Sequence, residues 1–249
     1  MIDLIRPVQL AILAVSVELL LIPCLPARAQ ATSEARRHMS DLILFEENFE
    51  PPGDGQPDDT SSAGSRNGLK CEQDKNTQTI QAIMPSRNYG LTLEERPSIF
   101  VYLADTSAQQ VVLILQDESA DYYQRAFLPI VDRAGITSFT LPEDKSAPIA
   151  GKNYQWSLVI VCGETVQPDD PVLYGWVQRV EASPQQEREL AQKSEVDRIA
   201  WLAQNGYWYD AIAEIDRVRH LSPGNAQLES FWQNVLEMAG VREIEPEAF

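Results

Sequence analysis

The chain has 249 residues, 44% of them hydrophobic, and its 37 acidic side chains against 20 Lys and Arg give a formal net charge of -17. That is enough apolar material for a packed core, and the acidic excess excludes a phosphate-backbone binder, which needs a positive surface. With only three cysteines and two histidines, and with His38 and His220 at no metal-site spacing, neither a metal centre nor a cofactor is expected.

Residues 1–29 read as a signal peptide. Arg6 supplies a basic start, residues 8–25 are mostly apolar, and Ala27-Arg28-Ala29 offers small residues for cleavage after Ala29. Asp3 and Glu18 interrupt the pattern, so a retained anchor is the competing expectation. Cys24 follows Pro23, where a lipid-attachment signal wants a small residue. The mature chain is therefore expected to be exported to the periplasm or beyond, soluble or associated with the envelope. If Cys24 leaves with the signal, Cys71 and Cys162 remain, and two cysteines in an oxidising compartment are expected to pair.

Residues 30–70 form an acidic arm rich in Gly, Pro and Ser. Leu42-Ile43-Leu44-Phe45 is its one apolar patch, and Pro51-Pro52-Gly53-Asp54-Gly55 begins a stretch with too little to bury to offset chain entropy.

Residues 71–181 carry strand signals. Segments 80–84, 98–103, 111–115, 122–130, 135–141, 154–162 and 172–180 are short, β-branched or aromatic, and separated by Pro, Gly, Asp and Asn turns. No intervening helix is long enough for a parallel crossover, so the fold predicted is an antiparallel, immunoglobulin-like β-sandwich.

Residues 183–240 switch to helical period and are expected to attach as a separate packing unit, with 241–249 a tail. Ser183-Pro184 and Ser194 are N-cap signals. Ile199, Ala200 and Ala203 line one helix face before Asn205-Gly206, and Ala211, Ile212, Ile215 and Val218 line the next. Leu202, Gly206, Tyr209, Ala211 and Pro223 follow the grammar of one tetratricopeptide unit, closed by a helix carrying Leu228, Trp232 and Leu236.

One unit buries its apolar face poorly alone. Trp201, Trp208 and Trp232 either pack the helices internally, or Trp208, Tyr209 and Trp232 contact a protein partner or a second copy. Tyr154, Trp156, Tyr174 and Trp176 alternate on two late strands; they line the core, or Trp156 and Trp176 stack on a sugar from outside.

No phosphate loop, nucleophile elbow or His-Glu-x-x-His occurs. Asp117, Glu118, Asp121, Asp169 and Asp170 sit at turns, where capping is their expected role and paired-carboxylate hydrolysis the alternative. No catalytic residue is assigned. A non-enzymatic protein-binding or scaffolding role is expected, with a carbohydrate-binding sandwich or a hydrolase as alternatives.

The chain also resembles a cyanobacterial exported family known as domain of unknown function 928. Ala82-Ile83-Met84-Pro85, Asn88-Tyr89-Gly90-Leu91-Thr92, Pro97-Ser98-Ile99-Phe100-Val101-Tyr102, Gly151-Lys152-Asn153-Tyr154-Gln155-Trp156-Ser157, Gly175-Trp176-Val177-Gln178-Arg179-Val180 and Asn205-Gly206-Tyr207-Trp208-Tyr209-Asp210-Ala211 carry the resemblance. It implies export and the Cys71–Cys162 link, and brings no catalytic residues with it.

Overall fold

A computed structural model describes residues 70–75, 79–85, 87–132 and 134–241, the side chain of Gln227 excepted. The expected signal peptide, all of the arm but Lys70, and the tail beyond Val241 lie outside the described residues.

The strands are β1 (Gln81–Ala82), β2 (Tyr89–Thr92), β3 (Ser98–Leu103), β4 (Gln110–Asp117), β5 (Tyr123–Pro129), β6 (Gly135–Thr140), β7 (Asn153–Val161) and β8 (Val172–Arg179). The helices are α1 (Pro184–Gln192), α2 (Glu195–Gln204), α3 (Trp208–Leu221) and α4 (Ala226–Met238). Strands form a three-stranded sheet, β1-β3-β6, and a five-stranded sheet, β2-β8-β7-β4-β5.

The larger sheet is mixed, which corrects the all-antiparallel expectation. β2 runs parallel to β8, held by Trp176 N–H donating to the Asn88 carbonyl at 3.0 Å and Val180 N–H to that of Thr92 at 2.9 Å. β2 gave no strand signal because all four of its residues are buried, so it lacks the polar alternation of a half-exposed strand.

The other strands follow their patterns. In β7, Tyr154, Trp156, Leu158 and Ile160 are each 0% exposed, while Gln155, Ser157 and Val159 between them are half-buried. The Cys71–Cys162 disulfide forms, with Cα atoms 5.5 Å apart, and ties the start of the described chain to the end of β7.

The first two helices begin where their caps predict. Ser183 accepts from Gln186 N–H while the Gln186 side chain accepts from Ser183 N–H, a reciprocal capping box ahead of Pro184. Ser194 accepts from Asp197 N–H, and Gly206, at φ 76°, turns α2 into α3.

The helices are not a separate packing unit. One hydrophobic cluster runs from Cys71 through both sheets to Val241, and three contacts fasten α3 to the strands. Trp208 Nε1–H donates to the Ile83 carbonyl at 3.0 Å. Trp156 Nε1–H donates to the Tyr209 hydroxyl at 2.7 Å, and that hydroxyl donates to the Trp176 carbonyl at 2.9 Å. Gly90 makes the approach possible, since a Cβ there would lie 2.8 Å from Trp208 Cβ. Burying side chains of this size is worth roughly 1.5–3 kcal/mol each, and a lone helical hairpin has nothing comparable to bury against.

Candidate binding surface

Cross-strand register assigns side chains of the five-stranded sheet to its two faces, because residues directly opposite share a face. On the inner face lie Val111, Leu113 and Leu115 of β4, Tyr154, Trp156, Leu158 and Ile160 of β7, and Leu173 and Val177 of β8, all buried.

The outer face carries three rows. Tyr123, Gln116, Gln155 and Trp176 are opposite one another in order across β5, β4, β7 and β8. Arg125, Ile114, Ser157 and Tyr174 form the second row, and Phe127, Val112, Val159 and Val172 the third. Tyr123 is 51% and Phe127 54% exposed. A solvated sheet face ordinarily alternates to polar and charged residues, yet Arg125 is the only charge in these rows and the third is wholly apolar. Gln116 Nε2–H donates to Gln155 Oε1 at 3.3 Å, bridging the amides between Tyr123 and Trp176.

The four late aromatics are therefore divided. Trp156, expected as a stacking ring, is 0% exposed and spends its indole N–H on Tyr209; Trp176 faces outward, half-buried. Trp208, Tyr209 and Trp232, expected as partner contacts, are 2%, 3% and 3% exposed and have no surface to offer. Trp232 packs edge-on to Phe100 at 6.4 Å with the Arg219 guanidinium 4.7 Å from its ring. Apolar helix faces read from periodicity alone point to whatever covers them, and here that is the sheet region.

Two clefts flank the sheet. One of about 790 Å³ lies at the end of β5, between Phe127, Pro129, Gln73, Gln110 and Cys162. The other, about 530 Å³, lies between the β2–β3 turn and α1–α3, with Asp210 among the residues that line it. Asp210 Oδ1 and Oδ2 accept from Leu93 N–H and Glu94 N–H, and Oδ1 from the Thr92 hydroxyl. Burial outweighs those bonds and pushes its carboxyl up to about 7.

Two of the five turn acids, Asp117 and Asp170, cap turns as expected. Asp117 accepts from Tyr122 N–H, the Ser119 hydroxyl and Lys152 Nζ, and the Tyr122 bond leads the effects that hold it below the ordinary carboxylate range. Asp170 accepts from Cys162 N–H and Gln167 N–H. Asp117 and Asp210 are each saturated by donors of their own. His220 lies exposed at the end of α3, its Nδ1 2.8 Å from the Asp216 carbonyl. Among the described residues no group of three or more His, Cys, Asp or Glu is placed to hold a metal ion, and no described helix is long and apolar enough to cross a membrane.

Asp210, Gly90 and Gly175 were missed as key positions. A carboxylate amid Trp208, Tyr209, Ala211 and Ile212 was the available signal for the first; Gly90 stands in a segment singled out only by resemblance, and Gly175 inside the predicted 172–180 strand.

These features define a class: a two-sheet β region sharing one core with four helices and presenting an aromatic outer sheet face. The chain belongs to the family described as Domain of Unknown Function (DUF928), which it matches over residues 61–249. No curated protein matches it.

Proposed function

We propose that this chain is a non-enzymatic exported protein that binds or positions a protein partner in the periplasm or at the cell envelope, using the outer face of the five-stranded sheet. The carrying observation is the row Phe127-Val112-Val159-Val172, in which Phe127 is exposed, Val159 and Val172 are half-buried and Val112 is buried. The helix α3 packs on β2 and β3, and apolar surface beside exposed aromatic rings, here Tyr123 and Phe127, is what interfaces are built from. The two sheets are read as a sandwich and α2–α3 as one tetratricopeptide-like hairpin, which agrees with the buried Ala211 and the positive φ of Gly206.

The test is crosslinked recovery from native periplasm with full-length protein, wild type against Phe127→Glu and Val172→Glu. Loss of the same crosslinked species in both variants supports the reading; recovery of the mature protein alone, or partners indifferent to both changes, refutes it. Mass measurement of the exported chain checks for cleavage after Ala29.

A carbohydrate-binding reading draws on one other observation, the Tyr123-Gln116-Gln155-Trp176 row, where rings flank hydrogen-bonding amides. It requires Trp176→Ala to abolish binding of a soluble oligosaccharide with Val172→Glu leaving that binding intact.

A further inference from the structure

The two edges of the five-stranded sheet differ. In β5, Ile130 N–H donates to the Gln109 carbonyl and Asp117 N–H to that of Tyr122, so in this register the even-numbered residues carry the ladder with β4. The N–H and C=O groups of Tyr123, Arg125 and Phe127 consequently point away from the sheet. Pro129 shares their phase but has no N–H, which ends the donor row. At the opposite edge the equivalent donor, Leu91 N–H, is taken by the Gly206 carbonyl at 3.0 Å, so the α2–α3 turn covers β2. Among the described strands β5 pairs with β4 alone, and an open edge is a template for another strand.

The side chains on that edge narrow the occupant. Tyr123, Arg125 and Phe127 are all exposed, and the Arg125 guanidinium rests 5.4 Å from the Phe127 ring centroid. Arg125 makes no ion pair among the described residues, although the chain as a whole is strongly acidic. A second copy fits poorly. A two-fold centred on Arg125 sets like charges opposite each other; a shift of two residues one way sets Pro129, without an N–H, against Tyr123, and the other way leaves only Tyr123 and Arg125 to pair within β5.

We propose that β5 takes an extended segment of the protein partner as a sixth, antiparallel strand, with aromatic or apolar side chains opposite Tyr123 and Phe127 and a carboxylate opposite Arg125. The inference rests on the protein-binding reading and specifies how the partner is held. Main-chain bonds to Tyr123, Arg125 and Phe127 give the affinity, and the alternate side chains set the register. Arg125 and Pro129 restrict the addition to short acidic strands, so the edge does not pair indiscriminately.

The test uses isotope-labelled full-length protein and a capped peptide, Thr-Phe-Thr-Glu-Thr-Tyr-Thr. Amide shifts should centre on residues 123–129. Arg125→Glu should weaken binding about tenfold, the loss of a charge-assisted contact, and a peptide with Lys in place of Glu should restore it. N-methylation of the Phe, Glu and Tyr amides, which face β5, should abolish binding, whereas methylation of the Thr amides should not. Binding indifferent to N-methylation overturns strand addition but leaves protein binding by the sheet face intact. Absence of β5 shifts at millimolar peptide overturns it as well, as does concentration-dependent pairing of β5 without peptide, which assigns the edge to a second copy. Loss of the native crosslinked partner in Phe127→Glu and Val172→Glu but not in Arg125→Glu separates the two failures.

Discussion

Trp156 and Tyr209 are joined by a buried 2.7 Å hydrogen bond between the middle of the sheet and the first turn of α3. Because the Tyr209 hydroxyl also donates to the Trp176 carbonyl, it couples β7, β8 and the helix in one relay. Burial raises the Tyr209 hydroxyl far above its ordinary range, so it stays a donor throughout the working pH range.

Tyr209→Phe should therefore cost about 1–3 kcal/mol, since the indole N–H of Trp156 and the Trp176 carbonyl lose a buried partner together. Urea unfolding checks this. A Tyr209→Phe/Trp156→Phe cycle should show non-additivity of at least about 0.5 kcal/mol; additive losses would mean that the relay does not couple the two parts.

Gly175→Ala should be as damaging as a large core substitution. A Cβ at Gly175 falls inside contact distance of Trp156 Cζ2 and Cε2, and that ring has β7, β8 and Tyr209 around it. Overpacking of this kind costs about 1–3 kcal/mol. The measurement is the urea midpoint together with tryptophan emission, which should shift red as the indole is displaced.

Asp210 predicts a pH dependence with a definite sign. Its carboxyl titrates at about 7 when folded, against an ordinary 3.8, so the folded state holds the proton more tightly. The associated stability is fully present below about pH 4 and lost as pH rises through 7, a decline on the order of 4 kcal/mol. Glu94, Arg96, Glu187, Arg198, Glu214 and Arg217 line the same cleft. Glu214, held low chiefly by its hydrogen bond from Arg217, acts with the opposite sign but below its ordinary 4.5. Denaturant midpoints from pH 5 to 8 should fall in wild type and flatten in Asp210→Asn; parallel slopes would remove Asp210 as the cause.

Reduction should destabilise the protein strongly. The Cys71–Cys162 bridge closes a separation of 91 residues, for which the chain-entropy account gives about 4–5 kcal/mol. Unfolding with and without dithiothreitol, and of a Cys71→Ser/Cys162→Ser variant, measures it. A change under about 1 kcal/mol would show that the unfolded chain is little restrained by the link.

Local signals were legible in the sequence because they act over a few residues. Ser183 and Ser194 announce helices through their own hydroxyls, Gly206 turns where only a left-handed residue fits easily, and the two-residue alternation of β7 marks a strand with one dry face. Cys71 and Cys162 are paired, as their number and placement led one to expect.

Which face of an element is dry, and against what, depends on residues distant in the chain, and only tertiary structure decided it. Periodicity put Trp156 and Trp176 in equivalent positions, yet the register between β7 and β8 and the arrival of α3 over Gly90 sent one inward and the other out. The same docking withdrew Trp208, Tyr209 and Trp232 into the shared core and left β5 as the open edge, because apolar area is buried wherever the assembled chain supplies a matching surface.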